Sequence, residues 1–321
     1  MPSGIQKALR GWAQRHLSDK PTPSRPVAVA LSGGADSVAL LMAGRAVWPG
    51  CVVALHVNHG LQTAASQFEV LCKLLCEAQQ VPLLSASVLV PREVGTSLEA
   101  EARRARYAAL AQSATAFHAQ AVLLGQHADD QAETVLLALT RGAGMPGLAG
   151  MGERSLKHSV LFGRPFLALR AGMLRRWVQQ LGVAFADDPS NLDQRHTRNR
   201  IRHSVLPGVL QSFPSVVDTL ARTARHAAEA AGLLSDLAAS DLALLGNPPV
   251  LKGLQALSRA RQANALRHWL QASAGAAPST AQLDELLNQV AHCTTRGHGI
   301  HLKVSVGHVH RVGGSLQYTP E

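Results

Sequence analysis

Cysteine and acid are both scarce in this chain. The four cysteines, Cys51, Cys72, Cys76 and Cys293, contain no C-x-x-C pair. That spacing gives no disulfide framework and no ligand set for zinc or an iron–sulfur cluster. Cys51 falls in an apolar, strand-like run, and Cys72 and Cys76 stand four apart on one helix face, where cysteine behaves as a small hydrophobe. A run of about 18 apolar residues, the length that crosses a bilayer, is also missing. The start, Met-Pro-Ser-Gly-Ile-Gln-Lys, lacks the apolar core and cleavage site of a signal peptide. The expected setting is a reducing cytoplasm, with no membrane. Internal repeats and low-complexity tails are absent apart from a short Gly/Ala/Pro/Ser linker at Gly275–Ser279. Acidic residues number 21 against 31 Lys and Arg, a formal charge of +10, and the pI is near 10.2. Such an excess implies a polyanionic partner. Arginine carries most of it, in clusters at Arg103-Arg104-Arg106, Arg170-Arg175-Arg176 and Arg195-Arg198-Arg200-Arg202. Guanidinium forks suit phosphates better than ammonium groups do.

What is present is a globular chain of 321 residues, 46% apolar, long enough for about two domains. The first half alternates short apolar runs with helical patterns. Val27–Leu31, Cys51–Val57, Leu83–Val90 and Ala121–Gly125 read as strands, and Ser37–Val47, Ala65–Gln80 and Leu98–Ala116 as the helices between them. Unbroken apolar strands covered by helices on both sides predict an α/β fold with a doubly wound parallel sheet. Ligands in such sheets sit at the carboxyl ends of the strands, where Ser32-Gly33-Gly34, His56-Val57-Asn58-His59 and Gly125-Gln126-His127 all fall. Thr96-Ser97-Leu98-Glu99 fits a capping box, and Glu99, Arg103 and Arg106 share a face of the helix it opens. A fourth helix is expected over His127–Leu139, ending in a glycine-rich loop at Arg141–Gly147. After Phe213-Pro214 the chain turns helical, over Val216–Leu245, Gln255–Ala272 and a stretch capped by Ser279, before alternating residues from Ile300 onward and a Gly313-Gly314 turn predict a β-hairpin. The expected domains are residues 1–215 and a small, mainly helical domain over 216–321.

Leu31-Ser32-Gly33-Gly34-Ala35-Asp36-Ser37 links the first strand to the first of these helices. Paired glycines let the backbone approach a ligand closely, and the helix start aims free N–H groups at an anion. The string is neither a Walker A loop nor the dinucleotide Gly-x-Gly-x-x-Gly. Further on, Gly125-Gln126-His127-Ala128-Asp129-Asp130-Gln131-Ala132-Glu133-Thr134 sets three carboxylates on the first turns of a helix. Asp130 and Glu133 share a face, and like charges so close require a cation beside them. Either Mg²⁺ on nucleotide phosphates or a substrate ammonium would answer. Asp129 reads equally well as a helix-dipole residue.

The loop Ser32–Ser37 resembles the pyrophosphate-binding loop of the N-type ATP pyrophosphatases. Together with His56-Val57-Asn58-His59-Gly60-Leu61, Glu99–Tyr107, His127–Glu133, Arg141-Gly142-Ala143-Gly144, Asp188-Pro189-Ser190-Asn191 and Arg198-Asn199-Arg200-Ile201-Arg202, it occurs in the order and spacing of the tRNA(Ile)-lysidine synthetases. The resemblance spans residues 25 to 215, and the remainder looks like that family's first C-terminal domain. It implies a ligase that joins L-lysine to C2 of the wobble cytidine in the isoleucine tRNA with a CAU anticodon, through adenylation by ATP, so that the tRNA changes from methionine to isoleucine identity. It further implies that Ser32, Gly33, Gly34, Ala35, Asp36, Ser37, His56 and Asn58 bind the nucleotide. Asp36 and Asp130 become candidates for Mg²⁺ or the lysine ammonium, Glu133 for binding lysine or deprotonating its amine, and Arg106 and Arg198 for orienting phosphate or tRNA. The oligomeric state stays open, a homodimer among the options.

Two positions depart from the family pattern: Gln62, where a basic residue is frequent, and Gln126, where many members carry histidine. Neither is assigned a catalytic role. The chain ends at Glu321 after one such C-terminal domain, where many members have two, so tRNA discrimination is expected to follow the short members. A thiolase on the same fold would call for paired cysteines or an iron–sulfur cluster. An amidotransferase of the GMP synthetase kind would need a glutaminase half, and the charge of +10 argues against it. A non-catalytic RNA-binding protein is opposed by the intact Asp36, Asp130 and Glu133. The histidines, His56, His59 and His127 among them, are spaced too irregularly for a metal set and are expected to face solvent or RNA.

Overall fold

The computed structural model describes residues 3–58, 65–88, 98–188, 193–295 and 297–321. It divides by contact density into residues 1–227 and 228–321.

The first unit opens with a helix that the sequence reading leaves unassigned, α1 (Gly4–His16), fixed by a capping box between Ser3 and Gln6 and burying Ile5, Leu9 and Trp12 at helical spacing. Then follow β1 (Val27–Ala30), α2 (Ala35–Val47), β2 (Val52–Asn58), α3 (Ala65–Gln79), β3 (Leu83–Ser87), α4 (Leu98–Ala116), β4 (Val122–Leu123), α5 (Ala128–Thr140), α6 (Met145–Leu148), β5 (Arg154–Lys157), β6 (Val160–Gly163) and α7 (Ala171–Gln180). The sheet order is β3-β2-β1-β4-β6-β5. β1 pairs in parallel with β2 and β4, β2 with β3 and β4 with β6, and β5 lies antiparallel on the edge. The doubly wound sheet is therefore present. Its strand order reverses between β1 and β4, and the crevice at such a switch point opens at the strands' carboxyl ends. Alternate residues of β1 feed two cores. Val27 and Val29 join Trp12, Leu40, Leu41 and Phe166 on one face, and Ala28 joins Leu110, Ala114 and Phe162 on the other.

Several boundaries move. α2 starts at Ala35 rather than Ser37, because Gly34 already has extended N-cap geometry. β3 ends at Ser87, and β4 is only two residues long. The hairpin β5–β6, closed by His158 and Ser159 at φ 49 and 61, has no counterpart in the sequence reading. His59–Leu61, the capping-box residues Thr96 and Ser97, the Glu99 side chain and Pro189–Asn191 lie outside the described residues. Beyond α7 come α8 (Thr197–Arg200), a π-helical turn (Ile201–Val205), α9 (Leu206–Ser212) and α10 (Val216–Leu245). Val217 at the start of α10 is buried with Ala128, Ala132 and Leu206. The first turns of this helix thus belong to the first unit, and the contact boundary falls inside α10 instead of at the expected 215/216.

The second unit holds α11 (Leu251–Ala256), α12 (Arg259–Ala274), α13 (Thr280–His292) and an antiparallel sheet of β7 (His301–Val304), β8 (Gly307–Val312) and β9 (Ser315–Pro320). Ser258 caps a new helix, so the expected Gln255–Ala272 helix is two. The terminal hairpin gains a strand: Ser305 turns at φ 55 and Val306 is exposed, ending the alternation at Val304. The core gathers Leu254, Leu266, Leu270, Leu286, Val304 and Leu316. Among the described residues, no helix is long and apolar enough to cross a membrane.

Candidate functional site

The loop between β1 and α2 is tied by its own hydroxyls. Ser37 Oγ donates to Gly34 O at 2.9 Å, and it accepts from Ser32 N at 3.2 Å and Ser32 Oγ at 3.1 Å. Gly33 takes φ +89, open to glycine without strain. Gly34 caps α2 with no side-chain hydrogen bond, so the first N–H groups of the helix keep their capacity for an anion. Close approach is enforced from β4: a Cβ on Gly125 would lie 2.8 Å from Asp36 O.

Beside this loop lies a cleft of about 320 Å³, lined by Ser32, Gly34, Asp36, Ser37, His56, Asn58, Arg106 and Asp130 among others. Eight of the twelve site residues singled out by sequence thus share one cavity wall, with Gly33 and Ala35 in the same loop. His56 is buried and its Nδ1–H donates to Leu31 O at 2.9 Å, which leaves Nε2 as an acceptor. Asn58 Nδ2 donates to Glu69 Oε2 at 3.0 Å.

Asp36 and Asp130 converge on one atom. His127 Nε2 lies 3.5 Å from Asp36 Oδ2 and 3.4 Å from Asp130 Oδ2. The ring is buried, not facing solvent or RNA as expected, and its Nδ1 lies 3.3 Å from Asp130 N at the start of α5. Burial opposes its protonation, but hydrogen bonding to Asp36 and the charges of Asp130, Asp36 and Asp129 outweigh it and raise the pKa to about 9. Asp129 itself points away, binding Ala171 N at 2.8 Å and Arg170, which is the structural role open to it. Two carboxylates, on the first turns of α2 and α5, form a sparse oxygen donor set of the kind Mg²⁺ takes.

The cation expected beside Asp130 and Glu133 is supplied by the chain itself. Arg202, on the π-helical turn, binds Glu133 through Nε at 2.6 Å and Nη2 at 3.0 Å, and reaches Asp130 Oδ1 at 3.3 Å. Arg198 Nε adds a contact to Glu133 at 3.4 Å, and its Nη2 donates to Thr134 Oγ1 at 2.6 Å. Glu133 is 1% exposed. Burial pushes its carboxyl up, and the Arg202 bonds oppose that. Glu133 and Arg198 are not among the residues lining the cleft, and both Glu133 oxygens are bonded to arginine. Arg202 is the residue that sequence reasoning left without a role, though it lies in a motif already singled out.

Arg106 differs. It faces the cleft with no hydrogen bond or ion pair among the described residues, and its pKa is lowered by burial and by Arg103 and Arg198. A half-buried cation with no counterion among the described residues is suited to an anionic ligand.

Residues 9–209 match the family model described as a PP-loop domain, and residues 250–317 match the TilS substrate binding domain. The tRNA(Ile)-lysidine synthase of Polaromonas naphthalenivorans is 52% identical over 99% of this chain and 96% of its own length. That of Bordetella pertussis is 40% identical over 88% and 91%. The Burkholderia pseudomallei enzyme is longer; at 43% identity the match covers 83% of this chain and 56% of that one. Among solved structures, the U34-tRNA thiolase NcsA of Methanococcus maripaludis superimposes with a TM-score of 0.57 over 69% of this chain and 78% of its own, at 16% identity, a likeness of fold alone.

Proposed function

Since the chain belongs to the tRNA(Ile)-lysidine synthase family, we propose that the cleft beside Ser32–Ser37 is where it converts the wobble cytidine of the CAU-anticodon isoleucine tRNA to lysidine. It is an ATP-dependent ligase. The observation that carries the site assignment is the convergence of Asp36 and Asp130 beside an uncapped helix N-terminus.

The loop N–H groups and the hydroxyls of Ser32 and Ser37 receive the β and γ phosphates of ATP. Asp36 and Asp130 would hold Mg²⁺, which would supply positive charge against the phosphoryl oxygens. The cytidine O2 attacks the α-phosphate, forming an O–P bond as pyrophosphate leaves. The ε-amine of L-lysine then attacks C2, and AMP departs with the oxygen. Arg106 meets the charge that develops on the transferring phosphoryl group, since it has no competing carboxylate among the described residues. His56 offers Nε2, and Asn58 its side chain, to the nucleotide. Glu133 positions rather than reacts: with Arg202 it fixes the first turn of α5, and with Arg198 it holds a guanidinium whose charge Arg106 feels. Asp130, which lines the cleft, would serve either Mg²⁺ or the lysine ammonium and its departing proton, Asp36 being left to the metal in the second case. The expected compartment is the cytoplasm, and a homodimer is one assembly open to test by light scattering.

The test is ATP-dependent incorporation of radiolabelled lysine into bulk bacterial tRNA. Labelling confined to one isoleucine tRNA and lost in Asp130→Ala is the expected result. A folded, ATP-binding protein that labels nothing would exclude the reading.

A further inference from the structure

Arg164, directly after β6, is 4% exposed and has no carboxylate partner among the described residues. All its described bonds go to neutral oxygens: Nε to Gln126 Oε1 at 2.5 Å, Nη1 to Gly152 O at 3.0 Å and Ser155 Oγ at 3.3 Å, and Nη2 to Tyr107 OH at 3.2 Å. A buried guanidinium without a counterion is costly unless its bonds are well made. Two of its partners, Gln126 and Tyr107, line the cleft.

Those bonds settle what the two side chains offer a ligand. Arginine has donors only, so the Gln126 atom facing it is the carbonyl oxygen and the NH₂ group is the end left for the cleft. Tyr107 oxygen accepts from Arg164 and also from Arg103 Nη2 at 3.3 Å. With both lone pairs engaged, its own O–H must point at some other acceptor, and no such acceptor occurs among the described residues. One arginine thus forces two neighbouring cleft residues to act as hydrogen-bond donors.

We propose that Gln126 and Tyr107, locked as donors by Arg164, form a subsite for the acceptor edge of the pyrimidine that is modified, and that this subsite distinguishes cytosine from uracil. The inference rests on the proposed function of the cleft. Cytosine presents N3 and O2 as adjacent acceptors. Uracil carries a proton on N3, so a fixed N–H donor there meets another donor, and one face-to-face pair of donors leaves both unsatisfied. Arg164 is a positioning residue, and Gln126 and Tyr107 are the groups that touch substrate.

The experiment compares Gln126→Glu with Gln126→His in the full chain. Glutamate keeps the bond to Arg164, and gains an ion pair, but presents an oxygen to the cleft; histidine accepts from Arg164 with one ring nitrogen and offers N–H from the other. Lysine incorporation is measured against a C34 tRNA transcript, with a U34 transcript as competitor, alongside the KM for ATP. Gln126→His is expected to lose activity but to keep at least about tenfold more kcat/KM for the C34 tRNA than Gln126→Glu. Gln126→Glu is expected to lose roughly 10- to 100-fold in kcat/KM for the C34 tRNA, with the ATP KM nearly unchanged and U34 competing better than before. Equal activity of Gln126→Glu overturns the inference, as does a loss seen only in the ATP KM, or damage by histidine equal to that by glutamate. An unsubstituted protein that incorporates no lysine overturns the functional reading as well, so the two failures are told apart.

Discussion

Arg202 and Glu133 stand 69 positions apart in sequence and are joined by two charge-assisted bonds. Among the described residues, removing Arg202 leaves Glu133 only the longer contact to Arg198, and removing Glu133 leaves Arg202 only Asp130, so Glu133→Gln and Arg202→Met should each cost up to about 3 kcal/mol. The double variant should recover part of that, and urea denaturation of the four proteins measures the coupling. If the singles add without coupling, the clamp is not structural. The same residues mark how far the sequence could be read. Asp36 and Asp130 were legible because a glycine turn and an acidic helix start are local patterns with a chemical meaning. Arg202 was not, because which of four clustered arginines turns inward depends on a π-helical turn with no sequence signature. Arg164 was invisible for a related reason: it follows a strand too short to show alternation. Cys72 and Cys76 fit their sequence reading as small hydrophobes, and burial pushes their thiols up to about 12 and about 11. Both should therefore resist alkylation at pH 8 in the folded protein, which mass spectrometry after iodoacetamide would report.

At the level of elements, the cleft depends on strands that glycine lets come close. Gly125 at the end of β4 sits against the start of α2, and a Cβ there would press on Asp36 O at 2.8 Å. Gly125→Ala should therefore raise the KM for ATP by at least about tenfold while the thermal midpoint moves by only a few degrees. A large fall in the midpoint with an unchanged KM would place the strain elsewhere. The α1 helix docks by another route. Trp12 Nε1 donates to Glu153 O at 2.9 Å, and the Glu153 carboxylate accepts from Arg15 at 2.9 Å and pairs with His16 at 2.9 Å. Although burial raises the Glu153 pKa, the bonds from His16 and Arg15 bring it below the usual value. A lowered folded-state pKa contributes stability that is present above about pH 4.5 and lost as pH falls through the folded pKa. The stability gap between the parent and Glu153→Gln should therefore shrink on acidification, as parallel denaturation at pH 7 and pH 4 would show. The alternating βα pattern was readable because buried parallel strands are unbroken apolar runs. The hairpin β5–β6 was not, since its turn uses His158 and Ser159 at positive φ, where glycine or asparagine is the usual signal.

For the whole molecule, the charge of +10 is the property that the sequence stated most directly. Arg198 and Arg202 spend part of theirs internally on Glu133, whereas Arg106 remains available to a ligand. Binding of tRNA should accordingly weaken by at least about tenfold between 50 and 200 mM salt, and Arg106→Gln should lower the log–log slope by about one. A filter-binding series reads both. A slope that does not change would mean that Arg106 meets no phosphate.

The Glu133 clamp also imposes an order on biosynthesis. Residues through β4 and α5 leave the ribosome well before Arg198 and Arg202, which follow Glu133 by 65 and 69 positions. At roughly 5–20 residues per second that interval lasts several seconds. Throughout it, the nascent α5 carries a carboxylate destined for the interior without its guanidinium, so the emerging half must keep that turn hydrated. The cleft of this enzyme is consequently finished only once translation has passed Arg202, and a stalled chain ending before Arg202 would hold the nucleotide loop without the brace behind it.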